Sequence, residues 1–262
     1  MIQLLHGDCL ELMKDIPDKS IDMILCDLPY GTTKNKWDCC IDLESLWVAY
    51  KRIIKHRGCI ALFAQCPFDK VLGASNLDML KYEWIWEKPM PTGRLNCNFA
   101  PLKTHEVVLI FSKSAACYVK NPENAMIYNP QMTTGKPYKS LSGGPSTNYD
   151  MKWCKQTKTI NKGTRYPRDV QRFSHDRVKL HPTQKPVALL EYLIKTYTDE
   201  GGIVLDNCMG SGSTGVACVN LKRNFIGIEL EEEYFEIAKE RIHKAQAEPK
   251  QLTLFEECWK DK

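Results

Sequence analysis

The sequence lacks the features of a membrane or secreted protein. It contains no run of about 18 apolar residues, so no membrane span is expected. The N-terminus enters a strand-like pattern at Ile2 to His6, without a secretory signal. None of the twelve cysteines forms a Cys-x-x-Cys pair, so neither a zinc site nor a disulfide framework is expected. These observations predict a cytoplasmic protein with reduced, mostly buried thiols and no metal.

Several enzyme signatures are also missing. No G-x-x-x-x-G-K-[ST] phosphate loop occurs, so the sequence gives no support to an NTPase. No G-x-S-x-G nucleophile elbow occurs either. His105-Glu106 is not H-x-E, and no P-C-x-x-C follows, so the zinc deaminase pattern is absent.

The stretch Asp27-Leu28-Pro29-Tyr30 follows an apolar run of strand length, residues 21–26. Asp27 therefore comes where a buried strand ends, which is the edge of an open α/β sheet at which ligands bind. A carboxylate, a carbonyl stiffened by proline and an aromatic ring suit a planar ring that carries an amino group. The alternative is a strand followed by an ordinary proline turn.

A second strand-like run ends at Asp206 and is followed by a glycine-rich segment, in which Gly210, Gly212 and Gly215 match G-x-G-x-x-G. The next strand-like run ends at Glu229, an acid placed to bind two ribose hydroxyls. The pattern predicts a cofactor that resembles a nucleotide. It leaves two candidates, NAD in a dehydrogenase and S-adenosylmethionine.

S-adenosylmethionine fits these residues better than NAD. Asp206 stands directly before the glycines, where a carboxylate repels a pyrophosphate and attracts a cationic amino group. The glycine motif also lies close to the end of the sequence, which leaves no following catalytic domain. A dehydrogenase has no use for Asp27-Leu-Pro-Tyr. Asp8, next to Cys9, follows the first strand-like run and either caps a helix or faces the ligand.

Positive charge is concentrated between Lys136 and Lys179, where eleven basic residues stand against three acidic ones, while the whole chain carries a formal charge of +4. Aromatic residues are interleaved with the basic ones, which is typical of nucleic-acid binding. The alternative is a solvated basic loop. The candidate DNA-binding residues are Arg94, Lys152, Lys155, Lys158, Lys162, Arg165, Arg168, Arg172 and Arg177.

Three segments together resemble the amino-directed DNA methyltransferases in which the catalytic motif precedes the cofactor motif. Asp27-Leu-Pro-Tyr30 is similar to their D-P-P-Y. Residues 206–214 resemble their D-x-F-x-G-S-G-T-T. His181-Pro-Thr-Gln-Lys-Pro186 matches their H-P-T-Q-K-P, the most specific of the three. The resemblance extends to about Ala247, and the basic segment falls where the family keeps its target-recognition region.

The resemblance implies a Rossmann-like α/β fold, a doubly wound, mostly parallel sheet of seven strands, with the target base flipped out of double-stranded DNA. The expected division is residues 1–112 for the catalytic half, 113–180 for target recognition, 181–247 for the cofactor half and 248–262 for a tail. The resemblance also suggests a homodimer and a cognate restriction endonuclease as partners, which these residues by themselves do not indicate.

The resemblance assigns a role to each matched residue. Asp27 and the Leu28 carbonyl accept from the exocyclic amine of the base, Pro29 stiffens the turn, and Tyr30 stacks on the base. Glu229 holds the ribose and Asp8 the adenine of S-adenosylmethionine. The remaining cofactor residues are Cys9, Asp27, Thr183, Lys185, Asp206, Cys208, Gly210, Ser211 and Gly212, with Thr183 and Lys185 assigned to the methionine carboxylate.

The same resemblance predicts the target atom. In this family an acid at the position of Asp27 goes mostly with N6 of adenine, and serine goes mostly with N4 of cytosine. Methylation at C5 of cytosine needs a Pro-Cys nucleophile, whereas Cys66 precedes its proline and is interpreted as structural. Leu28 and Cys208 differ from the family's proline and aromatic residue. These two departures suggest an inactive nucleic-acid-binding relative as one alternative, and an enzyme with the same chemistry that methylates N4 of cytosine is the other.

Overall fold

The computed structural model describes residues 1–31, 41–117, 119–142, 157–176 and 184–248. Within these ranges the strands are β1 (Ile2–His6), β2 (Ile21–Cys26), β3 (Ile54–Ala64), β4 (Leu80–Thr92), β5 (Lys103–Phe111), β6 (Thr133–Thr134), β7 (Tyr138–Ser142), β8 (Thr157–Asn161), β9 (Thr164–Arg165), β10 (Val170–Arg172), β11 (Ile203–Asp206) and β12 (Asn224–Glu229). The α-helices are α1 (Cys9–Leu12), α2 (Leu43–Ile53), α3 (Phe68–Ala74), α4 (Val187–Tyr197), α5 (Ser213–Asn220) and α6 (Glu232–Ala247). Short 3₁₀ turns cover Met13–Asp15, Arg94–Asn96 and Pro122–Asn124.

The main sheet has the strand order β1-β12-β11-β2-β3-β5-β4-β10. Neighbouring strands are parallel except for the pairs β3–β5 and β5–β4. The predicted α/β fold with a mostly parallel sheet is confirmed. Strands β4 and β5 form an antiparallel pair, with Trp84 opposite Val108 and Trp86 opposite Glu106.

Among the described residues the sheet has eight strands rather than the expected seven. The additional strand is β10, which pairs in parallel with β4 at the edge of the sheet, with Val170 opposite Ile85 and Arg172 opposite Glu87. Three residues in a polar, basic stretch are too few to show strand periodicity in the sequence. The strand forms because the edge of β4 offers unpaired backbone groups.

Helices cover both faces of the sheet, as a doubly wound fold requires. Strand β2 is buried on both faces. Ile24 packs in the cluster that contains Leu46 and Tyr50 of α2, and Leu25 packs in the cluster that contains Leu193 of α4. A strand covered on both sides has to be largely apolar, which is why all of residues 21–26 except Asp22 are apolar. None of the helices among the described residues is both long and apolar enough to cross a membrane.

The described chain forms two compact units. One contains Met1–Asn129 and the chain from Asp169 onward, and the other is Pro130–Arg168. The smaller unit lies inside the predicted target-recognition segment, and the expected division at residues 112, 180 and 247 stays a prediction. Within its described residues, the smaller unit contains two antiparallel strand pairs, β6 with β9 and β7 with β8.

Arg165 stabilises this smaller unit from within. Its guanidinium lies 4.6 Å from the ring centre of Tyr138 and donates to Asn161 Oδ1 at 2.8 Å and to the Lys136 carbonyl. Three partners fix the side chain in place, so Arg165 has a structural part in the unit in addition to its predicted contact with DNA.

Candidate active site

Four carboxylates meet at one edge of the larger unit's sheet. Strands β1, β12, β11 and β2 are consecutive neighbours and all parallel, so their carboxyl ends lie at the same edge. Asp206 and Glu229 end β11 and β12, Asp27 directly follows β2, and Asp8 comes two residues after β1. All four line one cavity of about 400 Å³.

The structure brings most of the predicted catalytic and cofactor residues to this cavity. The predicted residues that line it are Asp8, Cys9, Asp27, Leu28, Pro29, Tyr30, Lys185, Asp206, Cys208, Gly210, Ser211 and Glu229. Gly212 is not among the lining residues and is the N-cap of α5. Thr183 falls outside the described residues. Their roles toward a ligand stay predictions, and their common location supports them.

Asp206 is held beneath the glycine-rich turn by neutral donors. Its Oδ2 accepts from the Thr214 hydroxyl at 2.6 Å and its Oδ1 from the Cys208 amide at 3.2 Å. The side chain is buried, and burial raises the pKa of Asp206 to about 7 despite these two hydrogen bonds. A cation next to Asp206 would favour its ionised form.

Glu229 is bound by three backbone amides. Its Oε2 accepts from Gly210 at 2.8 Å, and its Oε1 accepts from Leu230 at 2.9 Å and from Glu231 at 3.0 Å. Gly210 has φ +50, so a residue tolerant of the left-handed region is favoured at this bend. The glycine turn and the acid at the end of β12 thus fix each other's position at the cavity wall.

Gly212 is required by packing as well as by backbone conformation. Its φ is +76, and a Cβ at this position would come within 2.8 Å of the Ala238 Cβ on α6. The absence of a side chain therefore lets α5 approach α6 closely. This contact sets the position at which α5 begins and so the shape of the turn above Asp206.

Asp8 caps α1 and also lines the cavity. Its Oδ1 accepts from the amides of Leu10 at 2.8 Å and Glu11 at 3.1 Å. The two interpretations of Asp8 in the sequence are therefore compatible, since a helix cap at this edge faces the cavity.

Asn207, which the sequence motif did not single out, connects the thiols of this region. Its amide nitrogen lies 3.6 Å from Cys9 Sγ and 3.5 Å from Cys208 Sγ, and its carbonyl accepts from the buried Tyr50 hydroxyl. Hydrogen bonds to Cys26 and Cys9, together with burial, raise the pKa of Cys208 well above its ordinary value. Cys208 is therefore a neutral thiol at the position where the family has an aromatic ring.

Asp27 uses both of its oxygens. Oδ1 accepts from the Tyr30 hydroxyl at 2.6 Å, and Oδ2 from Lys185 Nζ at 2.5 Å. Burial raises the pKa of Asp27 even though Lys185 opposes the shift. The Tyr30 ring stacks on Phe68, with centroids 5.1 Å apart.

Two residues that sequence analysis missed complete this part of the site. Lys185 Nζ also lies 3.2 Å from Glu106 Oε2, and Lys88 Nζ lies 3.1 Å from Glu106 Oε1. Burial would raise the pKa of Glu106, but Lys185 and Lys88 outweigh it and lower that pKa. The same two carboxylates, Asp27 and Glu106, raise the pKa of Lys185 against the effect of its burial.

The sheet explains why Lys88 and Glu106 reach the cavity. Strand β5 runs antiparallel to both β3 and β4, so its amino end lies beside the carboxyl ends of its neighbours. Glu106 lies opposite Trp86, and Lys88 follows two residues later on β4. The signal in the sequence is a charged residue, Glu106, next to the apolar run of β5, but the sequence does not indicate which side chain pairs with it.

Most of the predicted DNA-binding side chains that the structure describes are exposed. Arg172 is 80% exposed and pairs with Glu87 at 2.7 Å across β10 and β4. The other exposed members are Arg94, Lys158, Lys162 and Arg168, and Arg165 is partly buried. Lys152, Lys155 and Arg177 lie outside the described residues. The proposed contact of all nine residues with DNA stays a prediction.

Comparisons with known proteins give a consistent picture. A family model described as DNA methylase matches residues 21–240. The type II methyltransferase M.HpaI of Haemophilus parainfluenzae is 29% identical over 259 residues, which cover 92% of this chain and 74% of that protein. The DNA adenine methyltransferase YhdJ of Escherichia coli K12 is 28% identical, over 91% of this chain and 82% of that protein.

Solved structures agree. The M1.HpyAVI–SAM complex superimposes with a TM-score of 0.60 and 28% identity, over 92% of this chain and 99% of that chain. The cytosine-N4-specific PvuII DNA methyltransferase has a TM-score of 0.66 at 16% identity and shows the same fold, over 92% of this chain and 86% of that chain.

Proposed function

Because this chain belongs to the DNA methylase family, we propose that it transfers a methyl group from S-adenosylmethionine to N6 of an adenine flipped out of double-stranded DNA. The observation that carries the proposal is the position of Asp27. It follows β2 at the carboxyl edge of the sheet and lines the same cavity as Asp206 and Glu229. An acceptor for an amine and a site for a cationic, ribose-bearing cofactor are thus parts of one pocket.

The residues present fit S-adenosylmethionine. A cavity of about 400 Å³ is in the usual range for a small-molecule site. Three carboxylates, from Asp8, Asp206 and Glu229, suit a ligand with an amino-bearing ring, ribose hydroxyls and a cationic tail. When bound, the cofactor supplies a methyl group on a sulfonium, an electrophile that needs no metal. The M1.HpyAVI structure is named as a complex with SAM, which supports this cofactor.

The chain's own residues would supply position and charge. The Asp27 carboxylate and the Leu28 carbonyl would each accept one hydrogen bond from the exocyclic amine, which draws its lone pair out of ring conjugation and directs it at the methyl group. Asp27 would also accept the proton that the amine loses after transfer. Buried walls such as Trp86 and Phe63 exclude water from this part of the cavity. Alignment of the two reactants would provide much of the rate enhancement.

Adenine is the proposed base because position 27 is an acid and because a similar protein, YhdJ, is named as an adenine methyltransferase. The exposed basic residues of 158–172 would contact phosphates and hold the duplex. We further propose a cytoplasmic enzyme, in keeping with its buried free thiols Cys9, Cys26, Cys59 and Cys218. A homodimer and a cognate restriction endonuclease are the partners to test, the first by sedimentation.

The test is methyl transfer from labelled S-adenosylmethionine to unmethylated duplex DNA, followed by digestion and nucleoside analysis, with Asp27→Ala alongside. Label in N6-methyladenosine that disappears in the variant supports the proposal. Label in N4-methylcytosine would keep the mechanism and overturn the base. Cofactor binding without label in any DNA nucleoside would favour the inactive nucleic-acid-binding alternative.

A further inference from the structure

Four charged side chains form a buried cluster at the end of the cavity next to Asp27, here called the target-end ion network. Its members are Asp27, Lys185, Glu106 and Lys88. The side chains of Lys185, Lys88, Glu106 and Asp27 are 8%, 6%, 14% and 22% exposed, so the cluster is largely removed from water. Taking four charges out of water is costly, and well-packed apolar residues would often be at least as stable. The network is therefore better explained by function than by stability.

Lys185 lies between two carboxylates in this network. Its Nζ is 2.5 Å from Asp27 Oδ2 and 3.2 Å from Glu106 Oε2. In the proposed reaction the adenine amine needs an oxygen of Asp27, and Lys185 already holds one of the two. The Tyr30 hydroxyl donates to the other oxygen, so the amine competes with Lys185 for Asp27, and a buried ammonium that loses this contact without gaining another partner is strongly unfavourable.

We propose that Glu106 is a positioning residue that receives Lys185 when the target amine binds Asp27, and that Lys88, whose Nζ lies 3.1 Å from Glu106 Oε1, holds Glu106 in place for this purpose. The inference rests on the proposed adenine methylation. Two carboxylates and two ammonium groups stay balanced throughout, since Lys185 changes its main partner and no charge is created. Glu106 acts on the reaction through Lys185 and Asp27.

The network also predicts how activity depends on pH. Asp27 contacts Tyr30 in the turn after β2 and Lys185 in the segment before α4. The charge of Glu106 on β5 raises the pKa of Asp27. Cys26 of β2 and Asp206 of β11 interact electrostatically with Asp27. Glu106 faces Lys88 of β4 and Lys185. Removing the negative charge of Glu106 makes Asp27 easier to ionise, and removing the positive charge of Lys185 makes it harder.

The test is the single-turnover rate of methyl transfer as a function of pH, with saturating cofactor and duplex DNA. Ionised Asp27 accepts more strongly from the amine than protonated Asp27 does, so the rate falls on the acid side as Asp27 takes up a proton. For Glu106→Gln we expect this acid limb to move to lower pH by roughly one unit. For Lys185→Met we expect it to move to higher pH.

The plateau rate carries a second signal. Glu106→Gln leaves Lys185 with Asp27 as its only carboxylate partner in the network, so the amine competes less well and the plateau falls by about tenfold or more. Glu106→Asp keeps the charge and is expected to restore the wild-type acid limb. The matched control is Glu83→Gln, which removes an exposed carboxylate from β4 and is expected to change neither quantity. Cofactor affinity, measured by calorimetry, shows that each variant is folded.

If Glu106→Gln does not fold, Lys88→Gln decides, because without the Lys88 ammonium Glu106 takes up a proton more readily and the acid limb is expected to move to lower pH, as for Glu106→Gln. An acid limb that stays in place in these variants, or that moves in the same direction for Glu106→Gln and Lys185→Met, overturns the inference. Absence of methylated adenine with the wild-type protein would overturn the proposed function and this inference with it. Normal wild-type transfer with an unshifted Glu106→Gln profile overturns the inference alone.

Discussion

The two ends of the cavity hold their carboxylates in different ways. At the cofactor end, Asp206 and Glu229 are bound by neutral donors, the backbone amides around the glycine turn and the Thr214 hydroxyl. At the target end, Asp27 and Glu106 are bound mainly by the ammonium groups of Lys185 and Lys88. Neutral donors leave the negative charge available to a cationic ligand. Ammonium groups neutralise it, which suits a site for an uncharged base.

A substitution of Asp27 at the target end is the strongest test of the difference between the two ends. We expect Asp27→Asn to lower the rate of methyl transfer by about 10²–10³-fold, because an amide offers one acceptor oxygen and its NH₂ group faces the amine. Cofactor affinity should change by less than about tenfold, since the cofactor-end carboxylates are untouched. Single-turnover kinetics and calorimetry measure the two quantities. A loss of cofactor binding as large as the loss of rate would remove the distinction between the ends.

At the cofactor end we expect the opposite division. Glu229→Gln replaces an oxygen that accepts backbone N–H bonds with an NH₂ donor, so S-adenosylmethionine affinity should fall by about 10–100-fold. The rate at saturating cofactor should stay close to that of the wild type. Calorimetric titration checks the first expectation and rapid-quench kinetics the second. Glu233→Gln, which removes an exposed carboxylate of α6 that does not line the cavity, is the control for a general effect of lost charge.

Asp206 predicts a pH dependence of cofactor binding. Its pKa in the folded protein is raised by burial to about 7, so Asp206 takes up a proton as pH falls through that value. A cationic group prefers the ionised carboxylate, and affinity should therefore weaken below pH 7, by at most about tenfold per pH unit. Asp206→Asn should flatten this dependence. A wild-type affinity that is constant from pH 6 to 8 would contradict the assignment.

The smallest effects are expected outside the cavity. Lys158→Ala and Lys162→Ala should each weaken binding to any duplex and reduce the slope of log affinity against log salt by roughly one. Cofactor affinity should not change. Fluorescence anisotropy over a salt series measures the slope, with Lys14→Ala, an exposed lysine next to α1, as the control. An unchanged slope in both variants would leave these lysines as solvated charges.

The same comparison shows what could be predicted from the sequence. The cofactor end is built from residues that lie close together in the sequence. Asp206 and Glu229 end apolar runs, and the glycines between these two acids determine the conformation of the backbone that binds the two carboxylates. The parallel sheet then brings Asp27 and Asp8 to the same edge by a rule that needs only the strand order. These four residues can therefore be identified from the sequence.

The target end depends on contacts between distant parts of the chain. Lys185 is 158 residues from Asp27 and Lys88 is 18 residues from Glu106, so no motif contains either pair. The resemblance assigned Lys185 to the methionine carboxylate, whereas its Nζ lies against Asp27 and Glu106. The short β10 was missed for a similar reason, since it forms on the free edge of β4 rather than from its own periodicity.

The most direct measurement follows the single-turnover rate of N6-adenine methylation against S-adenosylmethionine concentration for the wild type, Asp27→Asn and Glu229→Gln. The division of the cavity predicts that Asp27→Asn lowers the maximal rate at a nearly unchanged half-saturating concentration. It predicts that Glu229→Gln raises the half-saturating concentration at a nearly unchanged maximal rate. The reverse assignment, or the same parameter changed in both variants, would contradict the account of two chemically distinct ends.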